Sequence, residues 1–92
     1  MGIVYILRLS NQKWYVGFTH DLEHRLTVHK NGEGASWTKL HKPIQLFAVV
    51  YGDKSIERKI TLDLMIEYGW ENVRGSAWTN CNLNKPPIPI RA

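Results

Sequence analysis

Tyr5 and Tyr15 stand ten residues apart, Arg25 follows the second tyrosine by ten, and His29 follows Arg25 by four. Hydrolysis of a phosphodiester needs an activated water, a neutralised phosphate and a stabilised leaving oxygen, and these side chains with Glu57 have the types for that work. Arg25 and His29 are one helical turn apart and share a face. A guanidinium there can donate a planar fork to a phosphate and hold charge as the transition state develops. Glu57 is the candidate metal ligand: one carboxylate suits Mg²⁺, which keeps several waters and completes its octahedron with phosphate oxygens. Each residue also has a plainer reading. The tyrosines can be strand aromatics packed on helices, Arg25 a surface arginine paired with Asp21 or Glu23, and Glu57 a solvated helix residue near Lys54. A tyrosine base has a further difficulty, because a pKa near ~10 leaves little phenolate at neutral pH. Arg25, a metal or His29 must then favour the ionised form.

Other constellations are thinner. His20 and His24 have the i, i+4 spacing that puts two imidazoles on zinc, but no third ligand is evident. His41 sits where it can cap a helix end. Trp37, Trp70 and Trp78 can stack on bases or serve a small core, and the core is the default. Cys81 is the only cysteine, which excludes an internal disulfide framework and a multi-cysteine zinc site.

The elements that must position these groups follow from apolar patterning. Ile3, Tyr5, Leu7 and Leu9 alternate with Val4, Ile6 and Arg8, the period-two pattern of a strand over Gly2 to Leu9 buried on both faces. Ser10-Asn11-Gln12 has turn chemistry, and Lys13 to Phe18 reads as the second strand of an antiparallel hairpin. Gly17 within it implies close approach to the backbone, by a substrate phosphate or by a packed side chain. Thr19 or Asp21 caps a helix to about Lys30, with Leu22 and Leu26 buried and Gly32 as its stop. A glycine-rich loop leads to a short turn that Ser36 caps and that runs through Trp37 and Leu40. Ile44 to Tyr51 is apolar on both alternating faces, which predicts a central strand covered above and below. Asp53 or Ser55 caps the longest helix, with Ile56, Ile60, Leu64 and Tyr68 at helical spacing before Gly69. Trp70 to Asn82 has no clean periodicity. Pro86, Pro87 and Pro89 mark an extended surface tail.

The order is β-β-α-(short α)-β-α, with no repeat and no linker. The predicted fold class is α+β, a small three-stranded antiparallel sheet flanked by helices. The 92 residues make one domain over residues 1–82, with a proline-containing tail over 83–92 that packs on it or leaves it. The apolar run at the start has no basic leader and is interrupted by Arg8, which predicts an intracellular, unanchored protein. Twelve Lys+Arg against eight Asp+Glu give +4, a modest excess that fits an anionic partner and equally a solvated surface.

Ile3-Val4-Tyr5, Tyr15-Val16-Gly17, Arg25 and His29, in that spacing, resemble the GIY-YIG nuclease domain. The likeness continues through Glu57 and Asn72-Val73-Arg74-Gly75. Ile3 stands where the family name has Gly, and Val16 where it has Ile. The resemblance implies a metal-dependent endonuclease that hydrolyses DNA, duplex or branched, leaving 5′-phosphate and 3′-hydroxyl ends. It implies Tyr5 as base, Tyr15 orienting water or phosphate, His29 polarising Tyr5, Arg25 stabilising the transition state, and Glu57 holding one Mg²⁺ or Mn²⁺. Asn72 is preferred over Asn80 as the site asparagine. The domains that direct many family members to their targets are not in this sequence, so a protein partner or an oligomer is expected to choose the target. The rival from another class is a non-catalytic basic nucleic-acid-binding module, and a remoter one is a protein-interaction domain engaging partners through its proline-bearing tail.

Overall fold

Strict alternation along the first strand puts Val4 and Ile6 on one face and Tyr5, Leu7 and Leu9 on the other, and all five are buried. In the computed structural model of the protein, which describes residues 2–91, this strand is β1 (Gly2–Leu9). Met1, the start of the predicted domain, and Ala92, the end of the predicted tail, lie outside the described residues. A 3₁₀ turn over Ser10–Gln12 carries the chain into β2 (Trp14–Thr19), antiparallel to β1. Asn11 and Gln12 both have positive φ there, at 62° and 60°.

Asp21 caps α1 (Leu22–Lys30), its carboxylate accepting from the His24 amide. Gly32, at φ 74°, ends the helical path. The short α2 (Ser36–Leu40) begins from Ala35 with no side-chain cap, so the cap expected from Ser36 is not made. Asp53 caps α3 (Lys54–Tyr68) by accepting from the Ser55 and Ile56 amides, and Gly69 stops it at φ 93°. The most deeply buried α3 residues are Thr61 and Met65, each one residue past the predicted Ile60 and Leu64. Thr61 tolerates burial because its hydroxyl donates to the Glu57 carbonyl at 2.7 Å.

The sheet departs from the three antiparallel strands expected. It has four strands in the order β3-β1-β2-β4 and is mixed, because β4 (Val73–Gly75) runs parallel to β2. Three residues are too few for periodicity to announce a strand. The larger correction concerns β3 (Pro43–Gly52): it is an edge strand and β1 is central. Its apolar residues are not covered above and below; Ile44 is 62% and Tyr51 75% exposed. Apolarity on both faces shows only that a strand tolerates burial, and here α3 meets β3 at Ala48 and Gly52 while most of its other apolar side chains stay exposed.

One face of the sheet packs Val4, Ile6, Trp14 and Val16 against Met65 of α3 and Val73. The other packs Tyr5, Leu7 and Leu9 against Trp37 of α2, with Leu22 and Leu26 of α1 alongside. The predicted tail returns to the first of these clusters through Ile90, and Pro87 is buried. A 3₁₀ turn spans Ile88–Ile90.

Candidate active site

Register brings the tyrosines together. Tyr5 pairs with Gly17 and Leu7 with Tyr15, so both phenols emerge on the same face, offset along the hairpin. Their ring centroids are 6.3 Å apart. Gly17 carries no side chain because the Tyr5 ring lies over it, where a Cβ would overlap the phenol. Of the two readings of that glycine, the packed side chain is the one seen.

His29, near the end of α1, is buried between the two tyrosines, with ring centroids 5.7 Å from Tyr5 and 5.3 Å from Tyr15. Its Nε2 is 2.7 Å from the Tyr5 hydroxyl and its Nδ1 is 3.0 Å from Oγ1 of Thr38. The loop before α2 closes over the imidazole at Gly34, where a Cβ would overlap Nδ1.

Arg25, one turn earlier, is exposed. Among the described residues the single ion pair is Lys59–Asp63, so Arg25 is not tied to Asp21 or Glu23, and the Glu57 carboxylate is likewise unpaired. β4 covers β2 only from Trp14 to Val16. Beyond it a cleft of about 470 Å³ opens, lined by Tyr15, Thr19, Arg25, Lys54, Glu57 and Ser76 among others. Glu57 enters from the first turns of α3. Ser76, directly after β4, holds a left-handed φ of 53° and lines the cleft together with Glu57. No pattern of side-chain types marks Ser76; only recognition of the short parallel strand before it would have placed it here.

Burial dominates the electrostatics. It pushes the Tyr5 phenol well above its ordinary value, with Tyr15 and Glu57 adding to the rise and Arg25 opposing it. Tyr15 is raised for the same first reason. Burial, then the Arg25 charge, lowers His29 to about 4. Burial raises the Glu57 carboxyl, partly offset by the Ser76 amide and by Lys54. A lone, unpaired carboxylate facing an open cleft fits a hard cation that takes its remaining ligands from water and phosphate. Among the described residues no group of three or more His, Cys, Asp or Glu side chains could hold a metal by itself.

The other sequence candidates are placed elsewhere. Asn72 is not brought to this cleft: its Oδ1 accepts from Lys13 Nζ at 2.7 Å and its amide donates to the Tyr68 carbonyl at 2.8 Å. The direction of β4 is the reason, since parallel pairing sets Val73 level with Trp14 and so leaves Asn72 beside Lys13, away from Thr19. Asn80 uses its Oδ1 on the Asn82 amide. Trp37 is buried, donating its indole N–H to the Trp14 carbonyl at 2.9 Å. Arg74, equally buried, stacks on Trp37 and donates to the carbonyls of Trp70, Val73, Asn80 and Cys81.

The chain is similar to several curated proteins. A UPF0213 protein of Oceanobacillus iheyensis is 46% identical over 55 residues, covering 60% of this chain and 60% of its own. UPF0213 protein YazA of Bacillus subtilis is 37% identical over 51 residues, 54% of this chain and 52% of its own. UPF0213 protein YsiG of Lactococcus lactis is 48% identical over 46 residues, 50% and 44% respectively. The chain thus spans about half the length of the curated relatives it matches. No solved structure matches it. The model of the GIY-YIG catalytic domain matches residues 1–79, which takes in the tyrosine hairpin, α1 and α3 together, and the chain belongs to that family.

Proposed function

We propose that the protein is a divalent-metal-dependent endonuclease that hydrolyses DNA phosphodiesters to 5′-phosphate and 3′-hydroxyl ends. The observation that carries this reading is an unpaired arginine and an unpaired carboxylate facing one cleft beside a phenol hydrogen-bonded to a buried imidazole. Arg25 holds the phosphate and its growing charge. Tyr15 lines the same cleft and orients phosphate or water. Tyr5 takes a proton from water as its own proton moves to His29, so no free phenolate has to accumulate against its raised pKa. The water oxygen bonds to phosphorus as the bond to the 3′ oxygen breaks, and the leaving oxygen takes a proton from solvent water to become the 3′-hydroxyl. Glu57 holds one Mg²⁺ or Mn²⁺, which when bound supplies positive charge for the phosphate and leaving oxygen. Asn72, spent on Lys13 and Tyr68, has no part in these steps.

Glu57→Gln tests this by removing charge while keeping size. Nicking of supercoiled DNA in Mg²⁺ should fall to the level seen with EDTA, while metal-free DNA affinity stays the same or rises slightly. A wild-type protein that binds DNA and never cuts would establish the binding-module alternative. A variant that still cuts would remove Glu57 from the site.

A further inference from the structure

Thr38 faces the far side of His29 from the tyrosine, and its hydroxyl has one proton to give. That proton goes to the Ala35 carbonyl, 2.9 Å away. A carbonyl oxygen only accepts, and this one also takes the Lys39 amide at 3.0 Å, within its capacity of two. Oγ1 of Thr38 is therefore an acceptor toward Nδ1 of His29 at 3.0 Å. A neutral imidazole carries one N–H, so Nδ1 holds it and Nε2 presents a lone pair to the Tyr5 hydroxyl at 2.7 Å. Tyr5 then donates to His29 and keeps its own lone pairs for another donor. The opposite tautomer would reverse the chain, with Nε2–H donating to Tyr5 and the tyrosine unable to pass on a proton.

We propose that Thr38 is a positioning residue that fixes the His29 tautomer and so sets the direction of proton transfer as water to Tyr5 to His29. The inference rests on the nuclease reading for its use, but the tautomer itself belongs to the free protein. The short helix that carries Thr38 is held at its N-terminal side. Trp37 beside it is bound to the Trp14 carbonyl and covered by Arg74. Gly34 lies against the imidazole with no room for a side chain. When Tyr5 gives up its proton, His29 becomes an imidazolium whose two N–H groups meet Oη of Tyr5 and Oγ1 of Thr38. The proton then leaves to solvent and the neutral imidazole is restored.

Nitrogen NMR on isotope-labelled histidine, without DNA or metal, reads the tautomer directly. Wild type and Thr38→Ser should both carry the proton on Nδ1. Thr38→Val keeps the shape but removes the acceptor, and should shift the proton wholly or partly to Nε2. Where nicking is measurable, Thr38→Val should lower kcat roughly 10- to 100-fold with little change in KM, and Thr38→Ser should restore most of it. A wild-type His29 protonated on Nε2 overturns the proposal, as does a Thr38→Val protein with an unchanged tautomer. If Thr38→Val does not fold, the wild-type and Thr38→Ser spectra decide alone. If wild type never cleaves DNA, the nuclease reading falls while the tautomer result still stands or fails by the same spectra.

Discussion

Arg25 and His29 lie one turn apart on α1 and differ in almost everything else. Arg25 is exposed and unpaired, so Arg25→Ala should leave the thermal midpoint nearly unchanged and cut DNA hydrolysis by orders of magnitude. A large fall in the midpoint would mean that the arginine is structural. His29 is only 3% exposed and is lowered from 6.5 to about 4. Between those two values the unfolded chain binds the proton and the folded chain does not, so stability rises with pH across that window. The contribution is complete above pH 6.5 and lost progressively as pH falls toward 4, by about 3 kcal/mol. Denaturant melts from pH 4 to 7 should show this slope, and His29→Gln should flatten it; an unaltered slope in the variant would put its origin in other groups. Tyr5, Tyr15, Arg25, His29 and Glu57 stood out in the sequence through their resemblance to the GIY-YIG spacing, and the fold brings Tyr15, Arg25 and Glu57 to one cleft with Tyr5 and His29 hydrogen-bonded beside it. Ser76 and Thr38 did not, because Ser76 reaches the cleft only through the short β4 and Thr38 meets His29 and Ala35 through hydrogen bonds that no interval announces.

At the level of elements, the hairpin is a tyrosine mount built around a missing side chain. Gly17→Ala should destabilise by about 1–3 kcal/mol, since the new methyl meets a buried ring that is itself hydrogen-bonded to His29. Nicking should fall as well, through displacement of the Tyr5 hydroxyl from Nε2. Denaturant melts and plasmid nicking check both parts, and wild-type behaviour in both would show that the ring yields freely. Helices α1 and α3 were readable from Asp21, Asp53, Gly32 and Gly69, because capping chemistry is local. The place of β3 in the sheet was not, since pairing order is decided by distant residues while the apolar run Ile44–Tyr51 reads the same at an edge or a centre. Asn72 follows from the same gap: without β4, nothing in the sequence says which end of β2 the residues after α3 approach.

For the molecule as a whole, a charge of +4 is small for the proposed action on a polyanion. The isolated protein should bind duplex DNA weakly, with affinity that drops steeply between low and physiological salt and little preference for sequence. Fluorescence anisotropy with unrelated duplexes across a salt series measures this, and tight, sequence-selective binding at physiological salt would contradict it. Chain order adds a constraint in time. Tyr5, Tyr15, Arg25, His29 and Thr38 all precede the β3 edge, whereas Glu57 and Ser76 come after it, and β4 joins Val73 back to Trp14. A nascent chain emerges N-terminus first and local contacts form before distant ones. The residues from Tyr5 to Thr38 can therefore come together early in synthesis, while Glu57 and Ser76 wait for α3 and the parallel strand, so a partly made chain carries the phenols and imidazole without the carboxylate of the proposed site.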